Sequence, residues 1–174
     1  MNKIVVKASS GTSEVLLGGS IDDLAGLCAS RRAIVITDTN VQRFHGSRFP
    51  DAPVVVIEPG EDSKDLRTVQ TIYERCVELE LDRGAVVVGI GGGVVCDIAG
   101  FIGATYLRGV SFGFVATSLL AQVDASVGGK NGVNLSSYKN LVGTFAQPEF
   151  VVLDHELLNT LPEIELRSGL AEVV

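Results

Sequence analysis

Apolar positions follow two rhythms along this chain. Short runs rich in Val and Ile alternate with longer stretches in which apolar residues recur every three or four positions. The first rhythm is that of strands and the second that of amphipathic helices. Ile4 to Lys7 and Glu14 to Leu17 predict a hairpin at the start. Ser20 is placed to cap a helix, with Asp23 as its box partner. Ala33 to Thr37 predicts a strand ending at Asp38-Thr39-Asn40, and Val54 to Ile57 another, stopped by Pro59-Gly60. From Ser63 a helix is expected, with Leu66, Val69, Ile72, Tyr73, Cys76 and Leu79 on one face and Gly84 beyond its end.

Ala85 to Ile90 predicts a fully apolar strand, followed at once by Gly91-Gly92-Gly93 and a helix from about Val94 to Leu107. Phe112 to Ala116 and Phe150 to Leu153 are further strands. Between them, Leu119 to Val127 predicts a helix halted by Gly128-Gly129. Pro162 suits the first turn of a final helix to the chain end. Alternating strands and helices imply right-handed crossovers. The expected fold is α/β: a Rossmann-like parallel sheet flanked by helices, with an amino-terminal hairpin. Leu166 to Val174 is apolar, without a cap or polar tail. This suggests a boundary, with residues 1–174 forming one domain and a second domain beyond it.

Composition supports a packed α/β core. The chain has 174 residues, 46% hydrophobic, with 20 Gly and no Trp. Its core must therefore be mostly Val, Ile, Leu and Ala, a palette that suits a sheet buried on both faces. A net charge of −7 argues against nucleic acid as a partner. Cys28, Cys76 and Cys96 have no metal or redox spacing and read as reduced thiols of a cytoplasmic protein. No apolar run reaches the roughly 20 residues of a membrane span.

Several segments carry candidate chemistry. Gly89-Ile90-Gly91-Gly92-Gly93 lies between a strand and a helix, where a dinucleotide pyrophosphate would meet free N–H groups. Position six of the fingerprint is Val94 rather than Gly or Ala, and a plain tight turn is the alternative. Asp38 could accept hydrogen bonds from ribose hydroxyls or form an Asx turn with Asn40. Gly60 to Lys64 reads as a capped helix start with exposed charge. Asp124 and Lys130 flank Gly128-Gly129 at a spacing that lets both side chains reach one cleft, although a surface turn fits equally well. Lys130 behind two glycines could hold a phosphate. Arg108-Gly109 is an anion contact or a helix C-terminal pair. Glu172 on an apolar stretch requires a partner: a metal, a lysine or water. His45 and His155 lack metal-ligand spacing and read as surface or structural.

Together these residues resemble the 3-dehydroquinate synthase family. The resemblance runs through Pro59-Gly60-Glu61 to Lys64, Gly91 to Asp97, Ala104 to Val110, Leu119 to Lys130, Lys139-Asn140, and Leu161-Pro162 through Leu166 to Val173. Gln122-Val123-Asp124-Ala125-Ser126-Val127-Gly128-Gly129-Lys130 is its most specific string. The resemblance implies NAD, held by Asp38, Asn40, Glu61, Lys64, Gly92, Gly93, Val94, Asp97, Thr117, Ser118, Lys139 and the stretch from Leu157 to Thr160. It implies a sugar-phosphate substrate met by Asp124, Lys130 and Asn140. It also implies a homodimer in which Arg108 reaches the neighbouring phosphate site. Glu172 matches one of three ligands to zinc (or cobalt). The other two are histidines of a helical carboxy-terminal domain absent from this chain, so the chain alone should be inactive.

The chain departs from the family at Cys96, Ala116, Ser118, Asn131 and Ser136-Ser137-Tyr138. These departures leave room for a sister sugar-phosphate cyclase such as a deoxy-inosose synthase. The remaining rivals are a metal-dependent glycerol dehydrogenase and a non-catalytic NAD-binding module.

Overall fold

The computed structural model describes residues 1–173. Seven strands form one sheet. They are β1 (Asn2–Ala8), β2 (Gly11–Leu17), β3 (Ala33–Asp38), β4 (Val54–Ile57), β5 (Val86–Gly91), β6 (Ser111–Ala116) and, late in the chain, Phe150–Leu153. A separate hairpin joins β7 (Lys130–Leu135) to β8 (Tyr138–Phe145), which makes the late strand β9. The sheet order is β1-β2-β9-β6-β5-β3-β4. Every pairing in it is parallel except β1 with β2, the expected amino-terminal hairpin.

Both faces of this sheet are covered. Side chains alternate across a strand, so Ile34, Ile36, Val87, Phe112, Phe114 and Val151 join one core. Val35, Val86, Val88, Ile90, Val115 and Val152 join the other. The first core takes helices α3 (Leu66–Glu78) and α4 (Gly93–Thr105). The second takes Ile21, Leu24 and Leu157 from short helical turns. Each buried aliphatic side chain contributes roughly 1.5–3 kcal/mol.

Close approach of α4 to the sheet explains part of the glycine content. A Cβ on Gly103 would come within 2.5 Å of Phe112 Cβ, and one on Gly89 within 2.7 Å of Ala99 Cβ.

The short helices follow their caps. Ser20 forms the expected capping box with Asp23, opening a 3-10 turn that runs into the single turn α1 (Leu24–Leu27). Asp38 caps α2 (Thr39–His45), accepting from the N–H groups of Asn40 and Val41, both at 2.9 Å. That element was expected only as a turn.

Other boundaries shift for visible reasons. The third helix starts at Leu66 rather than Ser63, because Asp65 accepts from the Thr68 N–H at 2.8 Å, while Glu61–Ser63 form a separate tight turn. The helix expected over Leu119 to Val127 is short and ends in a π turn, Ala121–Ala125, closed by the Ser126 N–H on the Ala121 carbonyl at 3.1 Å. Helix α5 (Glu163–Leu170) follows Pro162 and gives way to a turn. Val174, where the final helix was expected to end, lies outside the described residues.

Candidate functional site

The carboxyl ends of parallel strands are where ligands meet an open α/β sheet. Here β3, β5 and β6 deliver Asp38, Gly91 and Thr117 to one such edge. The chain turns at Gly91-Gly92 straight into α4, whose N-cap Gly92 supplies no side-chain cap. The first intrahelical bond runs from the Cys96 N–H to the Gly92 carbonyl at 3.0 Å. The N–H groups of the preceding turn therefore have no partner within the helix, and the positive end of its dipole faces the same way. Gly91 has to be glycine, since a Cβ there would lie 2.4 Å from Val95 Cβ.

Over this turn lies a cleft of about 600 Å³, within the usual range for small-molecule sites. It collects most of the residues singled out from the sequence: Asp38, Asn40, Glu61, Lys64, Gly92, Gly93, Val94, Asp97, Thr117, Ser118, Asp124 and Thr160. Lys139 lines an adjoining cleft of about 500 Å³, which shares Glu61 and Lys64 with the first. Leu157 is a core residue instead, 1% exposed. Lys130 and Arg108 are exposed and line neither cleft, so Asp124 and Lys130 do not share the cleft wall as their spacing had suggested. Arg108 ends the tight turn after α4, with Leu107 and Arg108 both in the left-handed region at φ 50° and 68°.

Lys64 is the centre of charge. It is 4% exposed, which is rare for lysine, and is ion-paired to Asp97 on α4. Its Nζ also donates to Asn140 Oδ1 at 2.5 Å. Burial raises the Asp97 pKa, with smaller upward contributions from the Glu61 and Asp124 charges, and Lys64 only partly offsets this. A local excess of carboxylates thus surrounds one buried cation.

Three residues of this region were missed as contributors. Asn134 on β7 donates to Glu61 Oε1 at 2.9 Å and accepts from the Asn140 N–H at 2.8 Å. His45, read as surface or structural, is 7% exposed and lines the cleft, with Nε2 2.8 Å from Thr160 Oγ1. The Thr160 hydroxyl donates to the Leu157 carbonyl at 3.1 Å, so Nε2 carries the proton that His45 shares with it. Gln122, inside the most specific string, is buried and donates to the carbonyls of Ala116 and Asp154, both at 3.0 Å, tying β6 to the end of β9. The sequence offered one signal for Asn134: it lies six positions before Asn140 across a polar Ser-Ser turn.

Glu172 sits in the exposed turn after α5. Among the described residues no three His, Cys, Asp or Glu side chains come together as a metal site. The three cysteines are buried and unpaired with one another. Burial raises the Cys96 thiol pKa and pushes that of Cys76 up to about 11, so neither is a reactive thiolate near neutral pH. No helix among the described residues is long and apolar enough to cross a membrane.

Known proteins match this geometry. A 3-dehydroquinate synthase of Symbiobacterium thermophilum is 50% identical over 153 residues, covering 83% of this chain and 43% of that protein. The chain spans about half the length of the curated relatives it matches, or somewhat less. Among solved structures, a 2-deoxy-scyllo-inosose synthase complexed with carbaglucose-6-phosphate, NAD+ and Co2+ superposes with a TM-score of 0.84 at 27% identity, over 97% of this chain and 49% of that one. The 2-epi-5-epi-valiolone synthase of Streptomyces hygroscopicus subsp. jinggangensis, with NAD+ and Zn2+ bound, gives a TM-score of 0.85 at 27% identity, over 98% of this chain and 50% of that one. The profile of the 3-dehydroquinate synthase N-terminal family matches residues 54–168, from β4 through the glycine turn, the Lys64 cluster and the β7–β8 hairpin into α5. With most of its cleft built by that matched segment, the chain belongs to the 3-dehydroquinate synthase family.

Proposed function

We propose that residues 1–174 are the nucleotide-binding half of a 3-dehydroquinate synthase, a cytoplasmic lyase of the shikimate pathway. It would convert 3-deoxy-arabino-heptulosonate 7-phosphate to 3-dehydroquinate and phosphate. The observation that carries this reading is the glycine turn at the start of α4, opening on a cleft also lined by the buried Lys64 and its ion-pair partner Asp97, with the exposed Asn140 bonded to Lys64 at its margin. The turn suits a pyrophosphate: close backbone, unpaired N–H groups and a helix dipole. Asp38 already caps α2 through Oδ1, which leaves Oδ2 for ribose hydroxyls. Thr160 and Asn40 would close the adenosine end, while Glu61, Lys64 and Lys139 would face the nicotinamide side.

NAD, when bound, would supply the hydride acceptor and donor for the reaction. The chain's own residues orient the substrate. Asn140 presents its amide beside Lys64, and Asp124 offers a carboxylate to hydroxyls at the cleft wall. Lys130 and Arg108 lie outside the cleft and remain available for a phosphate at its margin or at a neighbouring subunit in a homodimer. For zinc or cobalt this chain offers Glu172 alone, and the other ligands would come from a further helical domain. On this reading the 174-residue chain binds NAD without turning over substrate.

Identity to curated synthases reaches 50%, against 27% for the two sister cyclases. This favours the synthase reading over a deoxy-inosose synthase. The test is phosphate release by the full-length gene product given the heptulosonate phosphate, NAD and zinc. Release that requires both NAD and zinc, with no net NADH, is expected. A folded, NAD-binding, metal-loaded protein that releases none would overturn the reaction and leave the cofactor half standing.

A further inference from the structure

The β7–β8 ladder is broken where its chemistry sits. Val133 pairs with Val142 and Leu135 with Tyr138, so a single residue on β7, Asn134, faces three on β8: Lys139, Asn140 and Leu141. Such a bulge leaves backbone groups without ladder partners. It also holds Asn140 at φ 52°, a left-handed conformation that costs free energy unless its surroundings enforce it.

Asn134 meets both requirements. Its Oδ1 accepts the Asn140 N–H at 2.8 Å, its Nδ2 donates to Glu61 Oε1 at 2.9 Å, and its own N–H donates to the Lys64 carbonyl at 2.8 Å. One side chain thus joins the bulge to the Glu61–Lys64 turn, and Lys64 closes the ring by donating to Asn140 Oδ1. Asn can do this because it carries an acceptor and a donor on one amide.

We propose that Asn134 is a positioning residue, which sets the Lys139–Asn140 bulge and Glu61 in place at the nucleotide cleft. Its effect on cofactor affinity rests on the function proposed above. Its hold on the bulge does not.

Three variants separate the two arms. N134A removes both contacts. N134D keeps an acceptor for the Asn140 N–H but sets two carboxylates face to face at Glu61. N134D combined with E61Q restores that hydrogen bond with its polarity reversed, since the introduced glutamine amide can donate to the second oxygen of the introduced aspartate.

Amide exchange at Asn140 reads the bulge, and NAD binding reads the cleft. N134A should speed Asn140 exchange by about tenfold and weaken NAD by about fivefold, the loss expected for one hydrogen bond. N134D should keep Asn140 protected yet weaken NAD. The double variant should bind NAD better than N134D, a recovery that a residue needed only for packing would not give.

Unchanged Asn140 exchange in N134A would overturn the proposal, as would a double variant no better than N134D. If the unaltered chain binds no NAD, the functional reading falls, and Asn140 exchange in N134A and N134D, with circular dichroism to check folding, still decides whether Asn134 holds the bulge.

Discussion

The seven-stranded sheet and the β7–β8 hairpin bring their residues to two adjoining clefts by opposite means. In the sheet, every residue of β5 and β9 is buried, and the contacts between strands and helices are apolar. In the hairpin, no residue of β8 is fully buried, and Tyr138, Leu141 and Phe145 are 66%, 60% and 77% exposed. What ties the tip of that hairpin down is polar: the Lys64–Asn140 and Asn134–Glu61 hydrogen bonds and the Asn134 N–H on the Lys64 carbonyl, with Lys64 itself paired to Asp97 of α4. The sheet supplies a rigid glycine turn, and the hairpin supplies adjustable side chains held by a few strong contacts. Rigidity here comes from packing, and side-chain placement from charge and hydrogen bonding.

If that contrast holds, removing Lys64 should damage the hairpin half most. K64A would leave Asp97, a carboxylate only 20% exposed, beside Glu61 and Asp124 without its cation. Breaking one side of a buried pair costs about 3 kcal/mol, and more when both groups are fully buried. The Asp97 pKa, already raised by burial, should rise further. A carboxyl with a raised folded-state pKa favours folding at low pH, and that contribution disappears as pH rises through the raised pKa. The K64A loss, measured by urea unfolding, should therefore be largest near neutral pH and shrink toward pH ~4. Adding D97N should recover part of it. An equal loss at both pH values would mean that Lys64 acts through packing of its stem.

The sheet half should respond to volume instead. Gly113 pairs with Phe150 between β6 and β9, and a Cβ there would lie 2.4 Å from two atoms of the Phe150 ring. That ring is 2% exposed and has no room to turn aside. G113A should destabilise the chain by about 2 kcal/mol, the usual scale of overpacking. The loss should not depend on pH, and the Asn140 amide should exchange as before under native conditions. A pH-dependent loss, or selective loosening of Asn140, would show that the two halves are not held independently.

The same contrast explains what the sequence could reveal. Burial on both faces writes long apolar runs, so Ala33 to Thr37, Val54 to Ile57, Ala85 to Ile90, Phe112 to Ala116 and Phe150 to Leu153 were legible, as was the glycine turn. The β7–β8 hairpin was not. Its loop is Ser136-Ser137, with Ser136 taking φ 55°, where glycine would ordinarily announce a tight hairpin turn. Its strands interrupt their apolar positions with Asn, Gly and Lys, and the adjacent Leu141-Val142 breaks a strict alternation, so no strand rhythm stands out. Helix α2 was hidden for a related reason: Asp38 serves as a cap, a role that looks identical to an Asx turn in one dimension. Lys64, Asp97 and Asn140 were identified by resemblance. Their meeting around Asn134 depends on a bulge that no spacing rule predicts.

The smallest expected effect comes from a polar contact that the sheet half keeps at its edge of the cleft. His45 on α2 shares its Nε2 proton with Thr160, 2.8 Å away. Burial, and then the Arg48 charge, hold the His45 pKa below its ordinary value, while Asp154 pushes weakly the other way. A base with a depressed folded-state pKa contributes stability that is present above its ordinary pKa of about 6.5 and is lost as pH falls toward the lower folded value. The unaltered chain should therefore weaken on mild acidification in a window where K64A relative to wild type is improving. H45Q, which cannot titrate yet can still donate to Thr160, should flatten that window and should leave stability near neutral pH closer to wild type than either K64A or G113A. Thermal unfolding of wild type and H45Q across this range is the measurement. Parallel pH profiles for the two would assign the acid sensitivity to other groups and leave His45 as a purely neutral strut between α2 and the Thr160 turn.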